Sequence, residues 1–381
     1  MAFFNLMFIR LSSSYFFYFA LLGLTSPFLA VYLDGKGFDS RQVGESLAIL
    51  TATKIIAPSL WSFLADKTGK PLFVIRLGSL LTLLSFSLLF FLNQYWPITF
   101  SLALFTLFWT AVLPQLEVHA LATLKHSSKK YARVRLWGSI GFIVLAIVSG
   151  EAISVYGYQV FTLLGFIILL GLLFSTLALT DVNSAAKSNA SHSPIISKVL
   201  AIPFVCFFIA GILLQVSFGP YYGFFALFLR DLHYSALAVG LLISLGVVAE
   251  IIAFIYMGTL FKYCSLKTLL VFSIAITGVR WLLMPVVADS VLLLSILQLS
   301  HAASFAVYHS ASMQFISSHF EQSQQSRGQG IYLGGVYGVG GAIGAYITGL
   351  MWLDGQGATN TFLFCGCCGL LGGLIMALSK K

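Results

Sequence analysis

Residues 54–71 read Lys54-Ile-Ile-Ala-Pro58-Ser-Leu-Trp61-Ser62-Phe-Leu64-Ala65-Asp66-Lys67-Thr68-Gly69-Lys70-Pro71. The stretch opens with a lysine inside an apolar run. It closes in a short charged turn, Asp66 to Pro71, and a second apolar run follows. The pattern spreads outward over the whole chain. Of 381 residues, 59% are hydrophobic and only 9% charged, with a mean hydropathy of +0.96. A soluble domain carries roughly 25% charged residues. With so few charges there is no polar coat for a water-facing surface, and the composition predicts a polytopic membrane protein. Apolar runs of helical length recur at about 12–33, 43–63, 72–92, 98–122, 135–155, 159–179, 201–229, 237–260, 267–287, 290–317, 328–352 and 359–378. A membrane helix takes about 20 such residues, whereas a barrel strand takes about 10 with alternation. The expected fold class is therefore an all-α membrane protein of about twelve transmembrane helices.

The net charge of +9 at first points toward nucleic acid, but its distribution excludes that partner. Sixteen of the 21 Lys and Arg residues fall on one set of loops, helix mouths and termini. Three (Lys36, Arg41 and Arg230) fall on the other set, and two (Lys54 and Arg280) fall inside apolar runs. This is the positive-inside bias, and it predicts that both termini face the cytoplasm. Met1–Arg10 is too apolar for the start of a signal peptide, so the first helix is expected to stay uncleaved. Asp181–Ser197 is polar and lies at the midpoint. The expected organisation is a six-helix bundle over 1–180, a cytoplasmic linker over 181–199 and a second bundle over 200–381.

The halves align directly. A shift of 196 residues places Gly23 on Gly219, Phe28 on Phe224, Ala30 on Ala226, Leu33 on Leu229, Gly44 on Gly240 and Leu64 on Leu260. Lys54 then falls on Glu250, and each is the only charge in the middle of its helix. An ionisable group at that depth is costly and marks a functional site by default. Equivalent positions in two parallel repeats lie across a pseudo-twofold axis. A cation and an anion there are candidates to face each other; the competing reading is a static ion pair that only locks the halves together. Glu117 and Arg135 form a second candidate pair, 18 residues apart across a basic loop. Their helices form a hairpin that lets them reach one level. Arg280 lies well inside the ninth run, while His301 and His309 share a face of the tenth.

The turn at Ser62–Pro71 resembles the G-x-L-A-D-R-x-G-R-K loop of the major facilitator superfamily. Leu64, Ala65, Asp66 and Gly69 match it, Lys67 and Lys70 hold basic positions, and Ser62 replaces the first glycine. Tyr131-Ala-Arg133-Val-Arg135-Leu-Trp137-Gly138-Ser139-Ile-Gly141-Phe142 resembles the Y-G-x-V-R-L-W-G-S-x-G-F signature of the phenylpropionate permease family. That family is related to the lactose permeases and the nucleoside–proton symporters. The resemblance implies two six-helix pseudo-repeats and alternating access, with proton symport of a small organic solute. An aromatic carboxylate such as phenylpropionate is the favoured solute. A sugar or nucleoside symporter, an efflux antiporter and a receptor that keeps the fold are the alternatives. In the lactose permeases an acid and an arginine at the Glu117–Arg135 spacing contact the sugar. An arginine, a histidine and two glutamates there form the proton network. Arg280, His301 and Glu250 match three of those four, and Ser304 stands where the tenth-helix glutamate belongs. The expected substrate-binding or proton-coupling residues are thus Lys54, Glu117, Arg135, Glu250, Arg280 and His301. Asp66, Lys67, Gly69 and Lys70 form the cytoplasmic loop motif.

No cofactor beyond the coupling proton is expected, and no metal. The Cys365-Gly-Cys367-Cys368 cluster has no His or carboxylate beside it in its helix and reads as small-residue packing. His301 and His309 are too far apart along one helix to chelate together, so an enzyme is not expected. Gly338-x-Gly340 follows no strand and is not a dinucleotide loop. Gly330-x-x-x-Gly334 and Gly340-x-x-x-Gly344 predict close helix packing instead. The protein is expected to be a monomer in a bacterial inner membrane.

Overall fold

In lipid, backbone N–H and C=O groups find no water, and a helix satisfies them within its own segment. The computed structural model describes residues 2–125, 127–181 and 194–379, and among these every regular element is helical. Twelve helices are long and apolar enough to span a membrane. They are α1 (Leu6–Gly35), α2 (Ser40–Thr68), α3 (Pro71–Phe90), α4 (Tyr95–Thr123), α5 (Lys129–Tyr156) and α6 (Val160–Leu177), followed by α7 (Ile202–Asp231), α8 (Ala236–Tyr263), α9 (Leu266–Val287), α10 (Val291–His319), α11 (Gln325–Gly355) and α12 (Ala358–Leu378). The all-α expectation holds. Residues 182–193 of the expected linker lie outside the described residues.

Local chemistry sets the helix ends. Gly69 takes φ +63, and its N–H donates to the Ala65 carbonyl at 2.9 Å. A left-handed glycine closes a helix without a Cβ clash, and proline then opens the next one where its missing N–H costs nothing. Pro71 does this for α3. The equivalent position in the second repeat (69 + 196 = 265) is Ser265, and there the turn is made differently. Its hydroxyl caps α9 by accepting the Thr268 N–H at 3.1 Å. The side chains of Asp66, Lys67 and Lys70 are exposed.

Prolines break two helices. Regular α-helix stops at Trp109 in α4 and at Ser217 in α7, just ahead of Pro114 and Pro220. A proline ring clashes with the carbonyl four residues back and offers it no N–H. Two other helices widen instead: α10 is a π-helix over Ala302–Val307 and α11 over Leu333–Gly340.

The chain divides into two compact units. The first holds Met1–Phe38, Ile49–Lys187 and Ser235–Leu241; the second holds Asp39–Ala48, Ser188–Tyr234 and Leu242–Lys381. Each unit therefore takes in the opening turns of a helix that otherwise belongs to the other. The two exchanged segments start at equivalent repeat positions (235 − 39 = 196). In the first unit, a Cβ built on Gly240 would lie 2.3 Å from the Ala146 carbonyl oxygen; in the second, one built on Gly44 would lie 2.5 Å from the Gly349 Cα. Both contacts bring backbones to a distance that only glycine allows. The expected glycine seam of α11 is real at Gly340 and Gly344, which pack on α7 at Ile212 and Val216. It does not extend to Gly330, which faces nothing within 4 Å. Cys365 is buried, with its thiol 3.9 Å from the Val216 carbonyl.

Candidate functional site

The second unit contains a continuous polar network built from four helices. Arg280 on α9 is only 1% exposed. One guanidinium nitrogen lies 2.8 Å from His301 Nδ1, and another donates to Gln298 Oε1 at 2.8 Å. Gln298 and His301 are three residues apart on α10, so the planar fork spans a single helical turn. His301 Nε2 lies 2.7 Å from Glu250 Oε1 on α8. Tyr221, on α7 just past its break, donates to Gln298 Oε1 at 3.1 Å. The guanidinium carbon also sits 4.4 Å from the centre of the Tyr221 ring and 4.5 Å from that of Trp281. Trp281 is anchored in turn, its indole N–H donating to Ser217 Oγ at 3.1 Å. Ser217, the last residue of regular α-helix before the break, in turn donates its hydroxyl to the Leu214 carbonyl at 2.6 Å.

These contacts assign the tautomer of His301. A guanidinium can only donate, so Nδ1 must accept from Arg280. Nε2 then carries the ring proton and donates it to the Glu250 carboxylate. The ring proton is thereby aimed at Glu250. Ser304, in place of the tenth-helix acid, is fully buried and donates to the Ser300 carbonyl at 3.2 Å. Phe305 stacks between the rings of His301 and His309, at 5.9 and 6.0 Å, so the two histidines do share a face.

The first unit has a looser site. Tyr15 and Phe19 on α1 are one turn apart, as are Tyr131 and Arg135 on α5. Their shared face puts the Arg135 guanidinium 4.0 Å from the Phe19 ring centre and 5.9 Å from that of Tyr15. The Tyr131 hydroxyl donates to Glu117 Oε1 at 3.4 Å. Tyr18 stacks flat on Trp109, 4.5 Å between centroids and 8° between planes. Glu117 and Arg135 are neighbours, as expected, but make no direct ion pair. Arg135 rests on aromatic faces, and Glu117 is held by a phenol. The buried Tyr15 hydroxyl and Trp109 indole N–H have no hydrogen-bond partner among the described residues.

The six expected residues thus fall into three sets. Glu250, Arg280 and His301 form one network, and Glu117 and Arg135 occupy one neighbourhood. Lys54, on α2, is exposed beside exposed Ile55 and Ile56 and makes no hydrogen bond or ion pair among the described residues. Glu250 has its partner, His301, within its own unit. Gln298 is the residue that sequence reasoning missed. Its signal was available: an amide one turn before His301 in an apolar helix.

The comparisons agree with this architecture. Residues 8–364 match the MFS_1 like family. The chain is 31% identical over 330 residues to the "Probable 3-phenylpropionic acid transporter" of Escherichia coli (strain K12), covering 84% of this chain and 85% of that protein. Among solved structures, a mutant form of the nucleoside transporter NupG superposes with a TM-score of 0.87, at 16% identity over 98% of this chain and 100% of that one. A mutant form of the peptide transporter POT superposes with a TM-score of 0.78, at 12% identity over 97% and 93%.

Proposed function

This chain belongs to the MFS_1 like family and is a secondary transporter of the major facilitator type, and from that premise we propose that it is a proton symporter of a small aromatic carboxylate. It is a multi-pass membrane protein and not an enzyme. The observation that carries the proposal is the environment of Arg135. A half-buried cation in a membrane helix seeks an anion. This guanidinium instead lies on the faces of Phe19 and Tyr15, with no carboxylate among the described residues within ion-pair distance. A solute carboxylate would supply the missing charge, and a guanidinium binds one in bidentate fashion. The buried, stacked Tyr18 and Trp109 add an aromatic wall to this unit, the kind of surface an aromatic solute favours. The similarity to a protein named for 3-phenylpropionic acid supports the same solute class. Lys54 is a further cation that such an anion can meet.

Glu250 is the proposed proton carrier. Its carboxylate faces the single Nε2 proton of His301, and the guanidinium of Arg280 stands behind that ring. Protonating Glu250 removes the charge that His301 points at, which loosens the network and links proton occupancy to the state of the unit. In alternating access, this change and solute binding would together bias which side is open. The solute of a sugar or nucleoside symporter would instead use the Glu117–Tyr131 pair, whose oxygens suit hydroxyl groups.

The test is uptake into vesicles containing the purified protein under an inward proton gradient. Labelled 3-phenylpropionate, a sugar and a nucleoside are compared. Accumulation of 3-phenylpropionate that collapses with a protonophore is expected. Uptake that ignores the gradient, or selects the sugar or nucleoside, overturns the proposal.

A further inference from the structure

A buried arginine and a glutamate share the network of the second unit without touching. A guanidinium and a carboxylate ordinarily close into a bidentate, charge-assisted pair, stronger than bonds to neutral acceptors. Arg280 takes two neutral acceptors instead, His301 Nδ1 and Gln298 Oε1, both at 2.8 Å, and the imidazole stands between it and Glu250. Among the described residues the two charges make no direct ion pair. Their separation is built in by the side chains around them.

Gln298 is fully buried, and its carbonyl oxygen accepts from Arg280 Nη2 on α9 and from the Tyr221 hydroxyl on α7, at 2.8 and 3.1 Å. One oxygen on α10 thus ties three helices together. The orientation of the amide is fixed, because a guanidinium can only donate and so selects the carbonyl end. The rings of Tyr221 and Trp281, 5.3 Å apart, pack on the guanidinium carbon. Ring faces attract a cation without directing its N–H groups; the acceptors at the guanidinium edges do that. His301 is seated independently of Gln298. A Cβ built on Gly246 would lie 3.3 Å from His301 Cδ2, so the ring lies against the backbone of α8 one turn before Glu250, and Phe305 stacks on it at 5.9 Å. Removing the amide therefore frees the guanidinium and leaves the imidazole seated.

We infer that Gln298 is a positioning residue: it anchors Arg280 at a distance from Glu250, so that the carboxylate keeps the proton affinity a proton carrier needs. The inference rests on the reading of Glu250 as proton carrier above. Without the Gln298 carbonyl, one guanidinium edge loses its acceptor, and the carboxylate one imidazole away is a stronger one. An adjacent cation favours the ionised carboxylate, which then takes up a proton only at lower pH. The other groups around Glu250 do not supply that effect. From α10 it is faced by His301, and from α9 by Arg280 behind that ring. From α7 the rings of Tyr221 and Tyr222 come to 5.2 and 6.5 Å from that of His301, and α11 brings Tyr337 within electrostatic reach. Phenols carry no charge near neutral pH, which leaves Arg280 as the fixed cation of this network among the described residues.

The experiment compares the wild type, Glu250→Gln and Gln298→Met in vesicles. Methionine keeps the length of the side chain and has only a weak acceptor. Two quantities are read against pH: uptake of 3-phenylpropionate driven by a fixed proton gradient, and the infrared carboxylic-acid band that Glu250→Gln lacks. In Gln298→Met both midpoints are expected to move toward acid by about one pH unit or more, with maximal uptake recovered at low pH. Lost packing alone would lower uptake at every pH alike. A band midpoint that is unmoved, or displaced toward alkali, overturns the inference. So does uptake lost at every pH in a folded variant, which would make Gln298 a solute ligand or a purely structural group. Should Gln298→Met not fold, Gln298→Asn draws the carbonyl back by one methylene and is expected to move the band the same way; an unmoved band in it overturns the inference. A wild type that moves the solute without protons overturns the symport reading, while the band still decides whether Gln298 keeps Arg280 from Glu250.

Discussion

Arg280 and Arg135 are both arginines within membrane helices, and their surroundings differ. Arg280 is closed in by its own unit: His301 and Gln298 take two of its nitrogens, and Tyr221 and Trp281 cover its faces. Among the described residues Arg135 is held by ring faces, while its acidic neighbour Glu117 is occupied by Tyr131. A closed network resists change until one member gains or loses a proton. An open one has bonding capacity left for a visitor. On the proposed reading, this difference divides the labour, with proton handling in the second unit and solute binding in the first.

Removing each arginine tests that division most strongly. Arg280→Met strips a buried network of its cation, leaves the His301 Nδ1 unsatisfied and leaves Gln298 Oε1 with Tyr221 alone. Breaking such a network is expected to cost about 3–5 kcal/mol, read as a large fall in the unfolding temperature in detergent. Arg135→Met should leave that temperature nearly unchanged; equal destabilisation by both would erase the contrast. Glu250→Gln keeps the shape and cannot carry a proton. It is expected to lower gradient-driven uptake by about a hundredfold while exchange continues. If gradient-driven accumulation survives, the proton is carried elsewhere.

Arg135→Gln sharpens the other side of the comparison. The affinity for 3-phenylpropionate should fall by about 2 kcal/mol, or roughly 30-fold, as expected for a charge-assisted hydrogen bond. The uncharged 3-phenylpropanol should bind both forms alike. Titration calorimetry decides, and an equal loss for the alcohol would remove the carboxylate from the argument. The smallest effect belongs to Trp281→Phe, which deletes one hydrogen bond to Ser217 and keeps most of the aromatic surface. A cost of about 1 kcal/mol is expected, with coupling intact. Lost coupling at full stability would make the Trp281–Ser217 bond part of the proton machinery.

Much of this was legible before any coordinate. Gly69 and Pro71 announced the turn between α2 and α3. The 196-residue shift exposed the repeat, and Glu250, Arg280 and His301 stood out as ionisable groups in apolar runs. The repeat alignment offered Lys54 as the partner of Glu250; within its own unit Glu250 meets His301 on α10, a contact the alignment does not indicate. Glu117 and Arg135 were placed together, but Arg135 turned to Phe19. Gln298 passed unnoticed although its signal was there: an amide gains meaning only when read together with His301 one turn later. The π-helical turns of α10 and α11 leave no comparable mark in the sequence.

The boundary has a physical cause. A chain in lipid must satisfy each backbone group within a short stretch of itself, so composition, run length and turn residues alone determined that this protein is a bundle of twelve helices in two related halves. Side-chain partners are chosen by the rotation and depth of one helix against the next. Those depend on backbone contacts such as Gly240 against Ala146, on the breaks before Pro114 and Pro220, and on the widened turns of α10 and α11. Residues dozens of positions apart supply these features jointly, so tertiary structure alone decided that Arg280 is enclosed and Arg135 is left open.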